Sequence, residues 1–238
     1  MNQASRPGGI TDAILAKRVA KGVDALGLSL SRAQQGTLVA YVRLIQHWNG
    51  TYNLTAVRDP ADMVTLHILD SLAGAAALRR RRETRRFGTL LDVGSGAGLP
   101  GIVIAAVMPE LKVVCLDSVR KKAAFVRHAA ASLALSNVEA LHVRVEKLDG
   151  RRFDVIASRA FASLADFTGS TKHLLAAEGE WMAMKAKPPE DEMRQLTGLE
   201  FHVERFQVPG LMAERCIVWL VPDRESVRTL PAALEVRQ

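Results

Sequence analysis

The sequence predicts an α/β fold built on a mostly parallel sheet covered on both faces, and three observations carry that prediction. From Phe87 onward, short apolar runs alternate with helical stretches, as parallel strands require, because each crossover between them needs a helix. Where the first such strand turns into a helix lies a glycine-rich segment, Gly94-Ser95-Gly96-Ala97-Gly98-Leu99-Pro100-Gly101. Open sheets of this kind bind nucleotide-like ligands at that turn. The last two strand-like runs are separated only by a turn around Pro209-Gly210, so they should pair antiparallel.

Residues 1–87 read as helical. Thr11 caps a helix reaching about residue 26. Ser31 with Gln34 forms a capping box for a second helix that ends near Trp48-Asn49-Gly50. Asp59-Pro60 is a cap followed by proline at the first helical position, and the third helix carries Met63, Leu66, Ile68, Leu69 and Leu72 toward residue 78. Strands follow at 89–93, 113–117, 138–143, 153–157, 179–185, 201–208 and 215–221. Helices fall at 102–107, 120–135 and 164–176, and another starts at Pro188. The reading is thus a helical extension over 1–87, an α/β domain over 88–222 and a tail over 223–238. A seven-stranded, mostly parallel sheet ending in an antiparallel hairpin resembles the Rossmann-like fold of class I S-adenosylmethionine-dependent methyltransferases.

Hydrophobic residues make up 48% and charged residues 24% of 238 residues, a globular balance that excludes wholesale disorder. No apolar run reads as long enough to span a bilayer, and the N-terminus lacks the apolar core of a secretory signal, so the expectation is a cytoplasmic protein without a membrane partner. Cys115 and Cys216 each sit in a strand-like run and read as reduced core thiols; no Cys/His cluster suggests a metal. A net charge of +7 favours a polyanionic partner. Six arginines, Arg79, Arg80, Arg81, Arg82, Arg85 and Arg86, fall within eight residues and read either as phosphate contacts or as a solvated segment.

Two ligands compete for the glycine loop. Gly96-x-Gly98-x-x-Gly101 matches a dinucleotide fingerprint, with Asp117 about 20 residues on as the ribose acid. Asp92 followed by Gly94, Gly96 and Gly98 matches a loop for S-adenosylmethionine. Asp92 favours the second reading, because a carboxylate repels a pyrophosphate and attracts the positive sulfonium and amino groups of a methyl donor. In either case Asp117, ending the second strand, is placed to take the ribose hydroxyls. Val145 and Glu146 after the third strand are placed for the adenine edge.

Several segments taken together, Trp48-Asn49, Tyr52-Asn53-Leu54-Thr55, Arg58-Asp59-Pro60, His67-Ile68-Leu69-Asp70-Ser71, the glycine loop, Leu116-Asp117-Ser118, Arg144-Val145-Glu146 and Ser158-Arg159-Ala160-Phe161-Ala162, resemble the ribosomal RNA small subunit methyltransferase G family, also called glucose-inhibited division protein B. The resemblance covers roughly residues 25 to 221 and leaves out the arginine run. It implies a bacterial cytoplasmic enzyme that methylates N7 of one guanine in the helix 18 loop of 16S ribosomal RNA, near the decoding site. It implies cofactor contacts at Gly94, Leu99, Val145, Glu146 and Arg159, to which the loop reading adds Gly96 and Asp117. The family's usual Lys-Gly pair is here Lys185-Ala186, which leaves the backbone less free.

The residues suit that chemistry. Guanine N7 offers an in-plane lone pair with no proton to remove, so positioning matters more than a strong base. The Asn/Asp-Pro-Pro-aromatic loop typical of exocyclic-amine methylation is absent after the fourth strand, where Ser158-Arg159-Ala160-Phe161 stands. Neither cysteine has the loop setting of a C5-methylation nucleophile. Arg159 suits a phosphate, guanine O6 or the cofactor carboxylate; Phe161 suits a base or the core. His67 and Asp70, three apart, are expected to touch on one helical face and brace the substrate side. His67 and Lys185 complete the catalytic candidates, and no metal is expected. The expected partner is 16S ribosomal RNA or the small ribosomal subunit, with the protein a monomer. Two rivals remain: a non-catalytic RNA-binding assembly factor on the same fold, and a nicotinamide-dependent oxidoreductase.

Overall fold

The computed structural model describes residues 10–159 and 161–223. The capping residues do what their chemistry predicts. Thr11 caps α1 (Asp12–Ala25), and Ser31 with Gln34 closes a capping box on α2 (Arg32–Tyr52). Helix α2 outruns its expected end by two residues and stops where Asn53 takes a left-handed φ of 50°. Asp59 Oδ1 accepts from the amides of Ala61 and Asp62 and starts α3 (Pro60–Met63).

The third predicted helix is continuous to Arg82 but not uniform. Between α3 and α4 (Asp70–Arg82) lies a π-helical turn, Val64–Leu69. The 23-residue helical stretch Pro60–Arg82 is long and apolar enough to cross a membrane, which corrects the expectation of no such run. Here 83% of its apolar window is buried inside the protein.

The sheet has the order β3-β2-β1-β4-β5-β7-β6. Strands β1 (Thr89–Val93), β2 (Lys112–Asp117), β3 (Val138–His142), β4 (Phe153–Ser158) and β5 (Leu175–Lys185) run parallel. The last strand, β7 (Arg215–Pro222), enters antiparallel between β5 and β6 (Leu199–Phe206). The chain reverses direction across the sheet between β1 and β4, so their carboxyl ends open a crevice there. Helices α5 (Gly101–Val107), α6 (Arg120–Ser132), α7 (Leu164–Thr171) and α8 (Glu190–Arg194) complete the α/β part.

Strand β5 starts at Leu175, not 179, and β6 covers Leu199–Phe206, not 201–208; three of the later helices differ from expectation as well. Helix α6 stops at Ser132, and Ala134 turns the chain with a φ of 53°. Helix α7 ends at Thr171, not near 176, because Leu175 already pairs with Phe153 across a register shift in β4. The helix expected from Pro188 is a short α8.

Alternation along β1 separates two cores. Leu90 faces a layer formed by α1, α2, α4, α5 and α6; Leu91 and Val93 face Phe153, Phe167, Trp181 and Leu220. The N-terminal helices thus share one apolar cluster with the sheet.

Candidate functional site

The site begins with the glycine loop. Gly94, Gly96 and Gly98 all have positive φ, of 69°, 58° and 89°. At Gly98 a Cβ would also stand 2.6 Å from Ile102 Cγ1, so both conformation and packing demand glycine. The amides of Gly94 and Ser95 donate to the Leu116 carbonyl at 2.9 and 3.1 Å, tying the loop to the end of β2. Tyr41 of α2 donates its hydroxyl to the Ala97 carbonyl, tying the loop to the helical layer.

Asp92 is wholly buried beneath this loop. Its Oδ2 accepts from the Gly101 amide at 2.8 Å and caps α5, while Oδ1 has no partner. Burial raises its pKa from 3.8 to about 7, against the pull of the Gly101 N–H and the Arg159 charge. The Ser95 hydroxyl is likewise buried without a partner.

Asp117 is nearly buried. Its Oδ2 accepts from the Gly96 amide at 2.9 Å and its Oδ1 from Val119 at 2.8 Å. Asp117 thus ties the glycine loop to the residue before α6 without capping that helix, and each carboxylate oxygen keeps a lone pair for a further donor.

A cavity of about 240 Å³ opens at the carboxyl ends of β1, β2 and β3. Gly94, Val145 and Glu146 line it, as do Ser118 and Phe161. Phe161 also packs on Phe167, with ring centroids 5.1 Å apart. Of the other expected contacts, Gly96 stands beside Asp117, and Leu99 is packed into the core side of the loop.

Arg159, just past β4, lies in a second cleft of about 170 Å³ with Asp70 and Lys185. Its guanidinium meets Asp70 Oδ2 at 3.3 Å and donates to Ser71 Oγ at 3.2 Å and the Leu66 carbonyl at 3.3 Å. Asp70 also accepts from Arg215 Nε at 3.0 Å. Lys185 Nζ donates to the carbonyls of Phe161 and Ala162 and pairs with Glu192 at 3.5 Å. It therefore holds the segment after β4 in place.

The expected His67–Asp70 pair is replaced by separate partners. His67 Nε2 meets Thr55 Oγ1 at 2.8 Å, and Asp70 is taken by the two arginines. The π-helical turn changes the angular spacing that would align residues three apart. Thr55 Oγ1 also accepts from the Val57 amide at 3.1 Å. Burial together with the Arg159 charge pushes the His67 pKa down.

Sequence reading missed Asn49 and Arg215. Asn49 donates to the Val57 carbonyl at 3.1 Å and accepts from the Thr55 amide at 2.9 Å, shaping the loop that holds His67. The signal for Asn49 was its place in the Trp48-Asn49 motif. Arg215 opens the last strand and had no local signal. Asn53, from the Tyr52-Asn53-Leu54-Thr55 segment, is the α2 C-cap.

Five arginines of the run are engaged within the protein. Arg79 donates to the Val107 carbonyl, Arg80 meets Glu204, Arg82 meets Glu110, and Arg81 and Arg85 both bind the buried Glu180. Arg81 also lies 4.5 Å from the centroid of the Trp219 ring.

A glycine cradle at the end of β1, acids after β2 and β3, and this strand order define a class I methyltransferase fold. Solved structures agree: the chain superposes on a SAM dependent methyltransferase from Aquifex aeolicus with a TM-score of 0.50, 16% identity, and 67% of this chain and 93% of that one covered. For a ribosomal protein L11 methylase from Lactobacillus delbrueckii subsp. bulgaricus the values are 0.50, 14%, 64% and 76%. Residues 34–216 match the family model of rRNA small subunit methyltransferase G, and the chain belongs to that family. Its relatives include the ribosomal RNA small subunit methyltransferase G of Methylibium petroleiphilum, 54% identical over 87% of this chain and 94% of the relative. That of a Polaromonas species is 56% identical over 84% and 90%.

Proposed function

We infer that the protein transfers a methyl group from S-adenosylmethionine to N7 of a single guanine in 16S ribosomal RNA, in the helix 18 loop, by direct in-line transfer. The observation that carries the reading is the juxtaposition of the glycine-loop cavity with Arg159 held on Asp70 one strand away.

The residues fit the cofactor. The unpartnered Asp92 Oδ1 and Ser95 Oγ lie beneath or within the loop, Glu146 lines the cavity, and Asp117 retains acceptor capacity. Gly94, Gly96, Leu99, Asp117, Val145, Glu146 and Arg159 would hold the group. S-adenosylmethionine supplies an electrophilic methyl on a sulfonium. Arg159 positions the acceptor base or the cofactor carboxylate, and Asp70 and Arg215 keep its guanidinium oriented. His67 braces the substrate side as a neutral imidazole, and Lys185 fixes the segment bearing Phe161.

Direct transfer suits the thiols, since Cys115 and Cys216 lie on strands and burial pushes both pKa values up, away from thiolate. The enzyme is read as a monomer acting in the cytoplasm, without a metal or a membrane partner.

The test uses labelled S-adenosylmethionine and 30S particles from cells lacking the activity, with N7 methylation mapped by chemical cleavage. Label at one guanine of the helix 18 loop is the expected result. Label elsewhere would sink the substrate assignment. Cofactor binding with no transfer to particles or naked RNA would replace the enzyme by a binding factor.

A further inference from the structure

Helices α2 and α6 lie side by side over the sheet, and neither contains an aspartate or glutamate. Between them they carry Arg32, Arg43, Arg120, Lys121, Lys122 and Arg127, against a net charge of +7 for the whole chain. Arg43 is held by Asp12 of α1. Arg120, Lys121 and Arg127 are exposed, and Arg127 reaches back to the Ala140 carbonyl.

Aromatic rings lie beside this charge. In the last turn of α2, Trp48 and Tyr52 stack with centroids 5.2 Å apart and planes 6° from parallel. His128 of α6 meets Trp48 edge-on at 5.3 Å. Trp48 and Tyr52 are only partly buried. The chain leads from the patch to the site at two points. Tyr52 immediately precedes the loop that holds His67, and Arg120 follows Ser118, which lines the cavity, by two residues.

Exposed cations without interspersed acids suit phosphates, and a stacked aromatic pair suits an unpaired base. We propose that the outer face of α2 and α6 beside the cavity mouth is a second RNA-binding surface. It takes an unpaired base of the substrate against the Trp48–Tyr52 stack and neighbouring phosphates on Arg120, Lys121 and Arg127. The proposal rests on the ribosomal RNA reading and adds to it a binding surface outside the catalytic pocket.

The test is binding of the full chain to 30S particles lacking the modification, across a salt series. Replacing Arg120, Lys121 and Arg127 together by Gln should make the slope of log K against log salt shallower by about 0.7–0.9 for each phosphate that is no longer neutralised. Tyr52→Leu should weaken binding about tenfold with the slope unchanged, because stacking releases no counterions, and Tyr52→Phe should bind as the wild type. Cofactor affinity, read by calorimetry, should stay the same in all three. An unchanged slope in the triple variant, or Tyr52→Phe as weak as Tyr52→Leu, would overturn the proposal. If Tyr52→Leu fails to fold, the triple variant still decides, since its side chains are exposed. A wild-type chain that neither binds nor methylates the particles would overturn the ribosomal RNA reading as well. Normal wild-type methylation beside an unaffected triple variant would overturn this surface alone.

Discussion

Asp92 shows what burial does to a carboxyl group that serves the fold. Its carboxyl is buried and its pKa is raised to about 7 from 3.8. The folded state therefore holds a proton that the unfolded state releases, so this group stabilises the fold at acid pH. That contribution is lost as pH rises from about 4 to about 7, and above 7 no further change follows. The integrated effect is on the order of 4 kcal/mol. Urea melts from pH 4 to 8 should show wild-type stability falling more steeply across that window than the stability of Asp92→Asn; parallel curves would refute the assignment. Arg159 makes the contrasting case of a charge held in place by a buried acid, Asp70. Arg159→Gln should lower methyl transfer about a hundredfold or more, because a preorganised charge-assisted donor is lost. Transfer rates and a thermal melt on the same sample separate that loss from unfolding.

At the scale of elements, the glycine loop and the arginine-bearing end of α4 have opposite tolerances. Gly98→Ala combines a φ of 89° with a Cβ 2.6 Å from Ile102, and should cost at least about 2 kcal/mol. It should abolish cofactor binding in a calorimetric titration. The end of α4 is a structural clamp. Glu180→Ala leaves Arg81 and Arg85 without their shared buried acid and should cost about 3 kcal/mol in chemical denaturation. Arg81→Gln and Arg85→Gln should likewise lower stability while leaving the salt dependence of RNA binding unchanged. A flattened slope would instead show that the run meets RNA. The π-helical turn Val64–Leu69 places the Leu66 carbonyl against Arg159 and His67 against Thr55, two contacts that a regular helix would aim differently.

For the whole molecule, the decisive fact is that α1, α2 and α4 share one apolar cluster with α5, α6 and the sheet. A chain truncated before Gly88 would expose that face of α5 and α6 to water. It should show no cooperative thermal transition and no near-ultraviolet circular dichroism; a sharp melt would mean that the α/β part folds alone. The same packing explains the 23-residue apolar helix, which lies within the core. The crevice between β1 and β4 is also a property of the whole sheet, since it exists only where the strand order reverses.

Much of this was legible from local chemistry. Thr11, Ser31 with Gln34, and Asp59 with Pro60 announce helix starts because a cap satisfies amides within three residues of itself. The glycine loop is legible because positive φ restricts residue choice. Alternating apolar runs gave the strands, and the short turn before the last one gave its antiparallel sense. Local chemistry therefore settles the class of fold and the conformation of the glycine loop. Tertiary packing alone decides that Asp70 serves both Arg159 and Arg215, 145 residues away in sequence from the latter, that Glu180 gathers Arg81 and Arg85, and that Thr55, held by Asn49, meets His67. Each of these is an electrostatic or hydrogen-bond choice among partners brought together by folding. An aspartate in a helix carries no local mark of which distant guanidinium will reach it once burial has removed water as the alternative.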